Sequence, residues 1–184
     1  MTGTCTLDLI RHAMPVVDYE KPPATWELSE QGAADSRLLA EELQDLGLIE
    51  LVSSVEPKAA GTAREIAGVL GIEWRTAPGL HEHERDPLPY FGDVEWHTLV
   101  RGLFDHPDEL MMGRETANAA LARFSRAVDE VLADSVHDKV GIVSHGTVMS
   151  LYASQLTGEA PYSIWSRLTL PDYVLLTVEL TRTS

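Results

Sequence analysis

Apolar residues fall into short continuous runs and longer periodic stripes along this chain. Residues 4–10 form a β-rich run and residues 140–144 an almost wholly apolar one, as expected for central strands that are covered on both faces. Across residues 29–46, leucines recur at helical spacing, with Ser29 as a candidate N-cap and Gly47 as a stop. The pattern predicts two buried strands and an amphipathic helix.

Strands and helices alternate along the rest of the chain. Residues 48–53 read as a strand, 58–70 and 115–132 as helices, 148–156 as a helix and 173–180 as a β-branched strand. Such alternation is typical of an α/β fold with parallel strands. We therefore predict a three-layer sandwich with a mostly parallel central sheet flanked by helices.

Residues 76–113 interrupt this alternation. The segment holds four prolines and four of the seven histidines in the chain. Long irregular segments of this kind commonly carry function. We expect a loop region with a short helix, forming a short cap or loop insertion at about 83–113 within one domain that spans residues 1–184.

The length and composition fit one compact domain. The chain has 184 residues, of which 44% are hydrophobic and 23% are charged, enough to bury a sizeable core. Its 14 cationic and 29 acidic residues give a net charge of −15 with histidine neutral. This charge repels nucleic-acid phosphates and anionic membrane surfaces at long range. We expect neither nucleic acid nor a membrane as a partner.

Cysteine usage and the chain ends bear on the compartment. Cys5 is the single cysteine, which excludes an internal disulfide and a multi-cysteine metal site. Neither end shows the basic, apolar and small-residue pattern of a secretion signal, and no run of about 18 apolar residues occurs. We expect a reduced, cytoplasmic setting.

Two histidine motifs follow apolar strands. Arg11 and His12 follow the first strand, while His145 and Gly146 follow the strand at 140–144 and open the next helix. The carboxyl ends of parallel strands share one edge of a sheet, where the free N–H groups of helix N-termini attract anions. We expect His12 and His145 to meet at that edge.

The chain resembles the histidine phosphatase superfamily, also called the phosphoglycerate mutase-like family. The resemblance begins with the Leu-Ile-Arg-His-Ala motif and continues through segments in the family's order, at residues 9–13, 28–32, 53–63, 80–82, 113–116 and 143–146. It implies phosphoryl transfer through a phosphohistidine, acting on a small phosphorylated substrate without a metal or a cofactor. A homodimer is compatible with the sequence.

The resemblance assigns a role to each site residue. His12 is the nucleophile, since a neutral imidazole can attack phosphorus and neighbouring cations disfavour its protonation. Fixed positive donors suit a transition state that spreads charge over the equatorial oxygens. The catalytic group is His12, Glu82, Arg11 and His145, and the phosphate-binding group is Arg11, Lys58, His145 and Gly146.

Glu82 falls at the position of the family's general acid. A residue in this role protonates the leaving oxygen and later activates water, so we expect its carboxyl group to have a raised pKa. Glu84 is the alternative general acid.

Three positions depart from the family pattern. Lys58 replaces a pocket arginine and offers a point charge in place of a planar fork. Asp18 stands where the family often has a phosphate-binding asparagine, and we expect it to turn away from the pocket or to bind a cationic part of the substrate. Ala13 replaces the motif glycine, which is mild if that residue has a negative φ. A catalytically weak phospholigand-binding relative therefore stays an alternative.

Two other enzyme classes use the same residues. A phosphoglycerate mutase-type transfer is less favoured than hydrolysis, because the segment from Glu82 to Gly113 is short for the enlarged cap that a mutase needs. His81 and His83 lie among carboxylates and could ligate the metal ion of a metallohydrolase.

Cys5 and Arg11 stand in the spacing of cysteine-dependent phosphatases. The predicted strand rejects that assignment, because its six residues separate the two side chains by roughly 20 Å. We expect Cys5 to be a small core residue.

Substrate choice is expected to lie in the loops at 13–28 and 83–113. Arg85 and Arg101 are candidates to contact distal groups of the substrate, and Trp96 is a candidate to border it.

Overall fold

One mixed sheet with helices on its faces makes up the fold. The computed structural model describes residues 2–85 and 92–181. Within these ranges the strands are β1 (Thr2–Arg11), β2 (Leu51–Ser53), β3 (Trp74–Thr76), β4 (Lys139–Ser144) and β5 (Asp172–Thr181). The helices are α1 (Glu30–Asp45), α2 (Pro57–Leu70), α3 (Asp93–Asp105), α4 (Ala117–Asp134), α5 (Gly146–Thr157) and α6 (Pro161–Arg167).

The strand order β3-β2-β4-β1-β5 brings the first and fourth strands side by side. Strands β1 to β4 pair in parallel, and β5 runs antiparallel to β1. This confirms the predicted mostly parallel sheet. The register sets Arg11 beside Ser144 and Ser53 beside Val143, so the three central strands end at the same edge and the residues after them enter one space.

Apolar side chains cover both faces of the sheet. On one face Leu7 belongs to a cluster with Phe124 of α4, and on the other Ile10 packs in a cluster with Leu43 of α1 and Ile66 of α2. All of these side chains are fully buried, and each such burial stabilises the fold by about 1.5–3 kcal/mol. The packed layers fix the positions of the strand ends.

The helices predicted at 29–46 and 58–70 are confirmed as α1 and α2. Ser29 is the N-cap, because its Oγ accepts the N–H of Gly32 at 2.9 Å. Gly47 and Gly71 follow the helices with φ of 72° and 66°, a left-handed conformation that glycine adopts without strain.

Some element boundaries differ from the prediction. The strand expected at 48–53 is limited to β2, and the helix expected at 115–132 begins at Ala117, because the hydroxyl of Thr116 caps it by accepting the N–H of Ala119 at 3.1 Å. The pattern also missed β3 and α6, which span three and seven residues. Segments this short hold too few positions for a period to show.

The irregular segment contains the 13-residue helix α3. Its buried residues Val100, Leu103 and Phe104 belong to the same apolar cluster as Ile164 and Trp165 of α6. Residues 86–91 of the predicted cap at 83–113 lie outside the described residues. The described remainder of that segment therefore packs on the main core.

Cys5 lies within β1 and is 1% exposed, so it is the small buried strand residue that was expected. Among the helices of the described ranges, none is both long enough and apolar enough to cross a membrane.

Candidate active site

His12 and His145 meet at the shared edge of the sheet, as the strand pattern predicts. His12 directly follows β1, and its backbone N–H donates to the carbonyl of Ser144 at the end of β4. His145 directly follows β4 and is the N-cap residue of α5. The two ring centroids are 5.1 Å apart, with the rings inclined at 60°.

The hydrogen bond of His12 fixes its tautomer. Its Nδ1 lies 2.7 Å from the carbonyl oxygen of Ala13, and because a carbonyl only accepts, Nδ1 carries the proton. The lone pair of the neutral ring is therefore on Nε2. Burial, together with His145 and Lys58 nearby, holds the pKa of His12 well below its usual 6.5. The ring is thus a neutral nucleophile with its reactive nitrogen defined.

Ala13 is compatible with the site geometry. Its backbone N–H donates to Oγ1 of Thr62 at 3.0 Å, and no residue other than glycine in ranges 2–85 and 92–181 has a positive φ. The condition set for replacing the motif glycine is therefore met.

Arg11 ends β1 and reaches along the start of α5. Its Nη1 donates to the carbonyl of Leu168 at 2.6 Å, while its buried Nε has no partner among the described residues. A side chain at Gly146 would place its Cβ 3.1 Å from the guanidinium carbon, so glycine lets Arg11 lie against the helix. The unpartnered Nε is a donor left for a ligand.

His145 is fully buried with one nitrogen engaged. Its Nε2 lies 2.9 Å from Oγ of Ser54, which follows β2. Its Nδ1 is buried and has no partner in the described part of the chain. Burial and the charge of Lys58 hold the pKa of His145 well below its usual range, although the Glu82 carboxylate opposes this. A neutral His145 can offer one N–H to a phosphoryl oxygen.

Lys58 lies in the first turn of α2 with its ammonium group directed into the site. It is 5% exposed and donates from Nζ to the carbonyl of Pro23 at 2.7 Å. It also forms a short ion pair with Glu56. This pair was not foreseen, since the sequence reasoning passed over Glu56 as an unremarked position between two motif residues.

Glu82 is held at the N-terminus of α5. Its carboxylate accepts the N–H groups of Thr147 and Val148 at 3.1 and 3.3 Å. It also accepts the N–H of His83 at 2.8 Å and lies 3.2 Å from the guanidinium of Arg85. A helix N-terminus and a cation both stabilise the ionised form.

This environment overturns the expectation of a raised pKa at Glu82. Burial acts to raise the pKa, but Arg85, His145 and the backbone N–H groups outweigh it, so the pKa of Glu82 is held far below its usual range. In this state Glu82 is a carboxylate and so a proton acceptor. Glu84 is less suited to the role, because its side chain is 49% exposed and pairs with His81.

Arg123 of α4 anchors the backbone around Glu82. Its guanidinium donates to the carbonyls of Gly79, His81 and Glu82 at 2.8, 2.9 and 3.1 Å. It also pairs with Glu115, whose Oε1 accepts the N–H of Glu84 at 2.8 Å. These contacts fix the path of the chain on both sides of Glu82.

The proposed metal ligands are engaged by neighbouring protein groups. His83 is buried and donates from Nε2 to the carbonyl of Glu115 at 2.8 Å, while His81 lies 3.2 Å from Glu84. Across the described ranges no group of three or more histidine, cysteine or acidic side chains is arranged to hold a metal ion.

Asp18 turns away from the pocket, which is one of its two expected placements. It pairs with Lys21 at 2.9 Å and accepts the N–H of Glu20 at 3.0 Å. Hydrogen bonds from these two residues lower its pKa. Asp18 therefore stabilises its own loop as an anion.

The candidate specificity residues separate into two places. Arg85 lies between Glu82 and the ring of Trp96, with its guanidinium 4.9 Å from the ring centroid. Arg101 instead stacks over Tyr162 at 3.8 Å and lines an open cavity of about 490 Å³ between α3 and α6. Arg85 and Trp96 thus border the site.

The chain was compared with known proteins. A model of the histidine phosphatase superfamily (branch 1) matches residues 7–183. A solved structure described as mycobacterial hydrolase 1 has a TM-score of 0.73 at 19% identity, covering 95% of this chain and 92% of that one. A mycobacterial glucosyl-3-phosphoglycerate phosphatase has a TM-score of 0.68 at 21% identity, covering 88% and 84%. A variant of phosphoserine phosphatase from Entamoeba histolytica, bound to phosphoserine, has a TM-score of 0.61 at 17% identity, covering 94% and 89%.

No curated protein matches the chain. At the identities found, the solved structures show a common fold, whereas the family model covers nearly the whole chain, including both histidine motifs. The chain belongs to the histidine phosphatase superfamily, branch 1.

Proposed function

We propose that the protein is a phosphatase that hydrolyses a small phosphorylated metabolite through a phosphohistidine on His12. The observation that carries this proposal is the tautomer of His12, whose Nδ1 is bound to the Ala13 carbonyl and whose Nε2 keeps the lone pair. A second histidine, Arg11 and Lys58 surround it. Two similar structures, named as phosphatases of glucosyl-3-phosphoglycerate and phosphoserine, support hydrolysis of a phosphomonoester.

In the first step Nε2 of His12 attacks phosphorus. The N–P bond forms as the P–O bond to the leaving group breaks, and the leaving oxygen takes a proton from Glu82. Arg11, Lys58 and His145 stabilise the charge on the phosphoryl oxygens. The buried donors left without protein partners, Nε of Arg11 and Nδ1 of His145, fit this task.

Glu82 must be protonated for the first step although its pKa is low without substrate. A bound phosphoryl dianion places two like charges near the carboxylate, and like charges raise a carboxyl pKa. Substrate binding therefore opposes the effect of Arg85 and favours the protonated acid.

In the second step water attacks the phosphohistidine. Glu82, ionised after the first step, accepts a proton from the water as its oxygen bonds to phosphorus. The N–P bond breaks, inorganic phosphate leaves and His12 returns to its neutral form. The hydrogen bonds that stabilise the Glu82 carboxylate suit this proton-accepting role.

Hydrolysis is preferred to a phosphoglycerate mutase-type transfer. A mutase must shield the phosphohistidine from water until a second phosphorylated ligand binds, which calls for an enlarged cap. The chain between Glu82 and Gly113 is short for that purpose.

The proposal is tested by screening phosphorylated metabolites and trapping the intermediate. Rapid mixing with a labelled phosphomonoester should give acid-labile label on the wild type and none on His12→Ala. His106→Ala is a matched control, because its side chain is 54% exposed and pairs with Glu109. Unchanged label on His12→Ala would rule out this nucleophile, and loss of activity on chelation with recovery in zinc or manganese would favour a metallohydrolase.

A further inference from the structure

Glu56 and Lys58 form a buried ion pair at the start of α2. The two residues are 6% and 5% exposed, and both are drawn into the site. Residues two apart on a helix point in different directions, but Glu56 is the N-cap and has extended backbone angles of φ −68° and ψ 135°. Pro57 fills the first helical position, where a missing N–H costs nothing. This local geometry lets both side chains meet.

The ion pair limits the freedom of the Lys58 ammonium group. An ammonium has three hydrogens, and within the described ranges the Lys58 group has two protein acceptors, Glu56 and the carbonyl of Pro23. One hydrogen is left to point at a phosphoryl oxygen. Arginine holds its donors in a rigid plane, whereas a lysine ammonium rotates, so these anchors give Lys58 a fixed direction that it lacks by itself.

The other oxygen of Glu56 reaches two more groups of the site. Its Oε1 accepts the backbone N–H of Glu82 at 2.9 Å and lies 3.6 Å from Nε2 of His145. One carboxylate thus joins the phosphate-binding cation, the backbone of the proposed acid and the second histidine.

We propose that Glu56 is a positioning residue for phosphoryl transfer, which orients Lys58 toward the phosphoryl group and fixes the backbone of Glu82. This rests on the proposed function. Its negative charge also offsets that of Lys58, so it weakens the hold of the pocket on inorganic phosphate. Glu56 therefore favours turnover at the expense of anion affinity.

The test compares Glu56→Gln with the wild type in single-turnover labelling of His12 and in binding of inorganic phosphate. Glutamine keeps an oxygen for the Glu82 N–H but loses the charge that holds Lys58. We expect His12 phosphorylation to slow about tenfold through misplacement of the cation. Phosphate should bind about threefold more tightly, because a nearby negative charge is removed.

A second background separates positioning from folding. In Lys58→Arg the planar guanidinium needs less help, so Glu56→Gln should slow labelling by less than about threefold there. Glu65→Gln is the matched control, because Glu65 is also on α2 and pairs with Arg37. If Glu56→Gln does not fold, Glu56→Asp retains the charge, shortens the reach and should slow labelling in the wild-type background only.

Equal losses in both backgrounds, or labelling of Glu56→Gln at the wild-type rate, would overturn the inference. Weaker or unchanged phosphate binding together with a lower melting temperature would assign Glu56 a purely structural role. If the wild type itself forms no phosphohistidine, the proposed function fails instead, so the two failures are distinguishable.

Discussion

Replacing Gly113 by alanine should damage the site from outside it. Gly113 has a φ of +103°, and a Cβ there would lie 2.3 Å from the carbonyl oxygen of Glu84 and from Cα of Arg85. Contacts under 3.0 Å are essentially never seen for Cβ atoms, so the two backbone segments must separate by at least 3.0 − 2.3 = 0.7 Å. The segment that moves lies directly after Glu82.

The cost of this substitution has two sources. Alanine in the left-handed region costs about 1–2 kcal/mol, and forcing packed backbone apart costs about 1–3 kcal/mol. We therefore expect a loss of about 2–5 kcal/mol in the free energy of unfolding. A misplacement approaching 1 Å near a reacting group costs up to about 100-fold in rate, so kcat should fall about 10- to 100-fold.

Urea denaturation and steady-state kinetics on a screened phosphomonoester measure both effects. Gly158→Ala is the matched control, since Gly158 has a φ of +75° and nothing within 4 Å of an added Cβ. It should lose about 1–2 kcal/mol with kcat unchanged. If Gly113→Ala behaves like this control in stability and in kcat, the close approach to Glu84 and Arg85 does not shape the site.

Three further outcomes are expected. Asp8 is fully buried, and burial raises its pKa although Lys139 lies 3.6 Å away and opposes this. Its charge costs stability above that pKa, so Asp8→Asn should stabilise the protein by about 1 kcal/mol at pH 7, with wild type and variant converging in denaturation experiments as the pH falls; destabilisation at pH 7 would contradict this. In an NMR titration His12 should stay neutral at pH 5.5, because its pKa lies well below 6.5; a midpoint near 6.5 would refute the buried geometry. Arg123→Met should lose about 3–5 kcal/mol, because the buried Glu115 carboxylate would lack its partner, and should lower kcat; kcat within about twofold of the wild type would show that the anchor does not matter to the chemistry.

The meeting of His12 and His145 could be predicted because it follows from topology. Each residue directly follows a strand, and parallel strands bring their carboxyl ends to one edge whatever the details of packing. The N-cap at Ser29 could be predicted for a related reason, since its hydrogen bond to Gly32 is local in sequence.

The role of Glu56 and the ionisation of Glu82 could not be read in the same way. Glu56 stands before Pro57 at a helix start, where an acidic residue is usually solvated, and its burial depends on distant segments. Glu82 is ionised by N–H groups of Thr147 and Val148, about 65 residues further along the chain. Nothing in the local sequence distinguishes a carboxylate held in this way from one in an apolar pocket.

The contacts of Glu82 divide its position between two helices. Its backbone carbonyl is bound by Arg123 of α4, whereas its carboxylate is bound by the first turn of α5. A small slide of one helix against the other therefore turns the side chain about its own backbone. The two helices pack through Phe124 and Tyr152, whose ring centroids are 5.7 Å apart, so substitutions at this remote aromatic contact offer a way to retune the acid without altering any residue that touches the substrate.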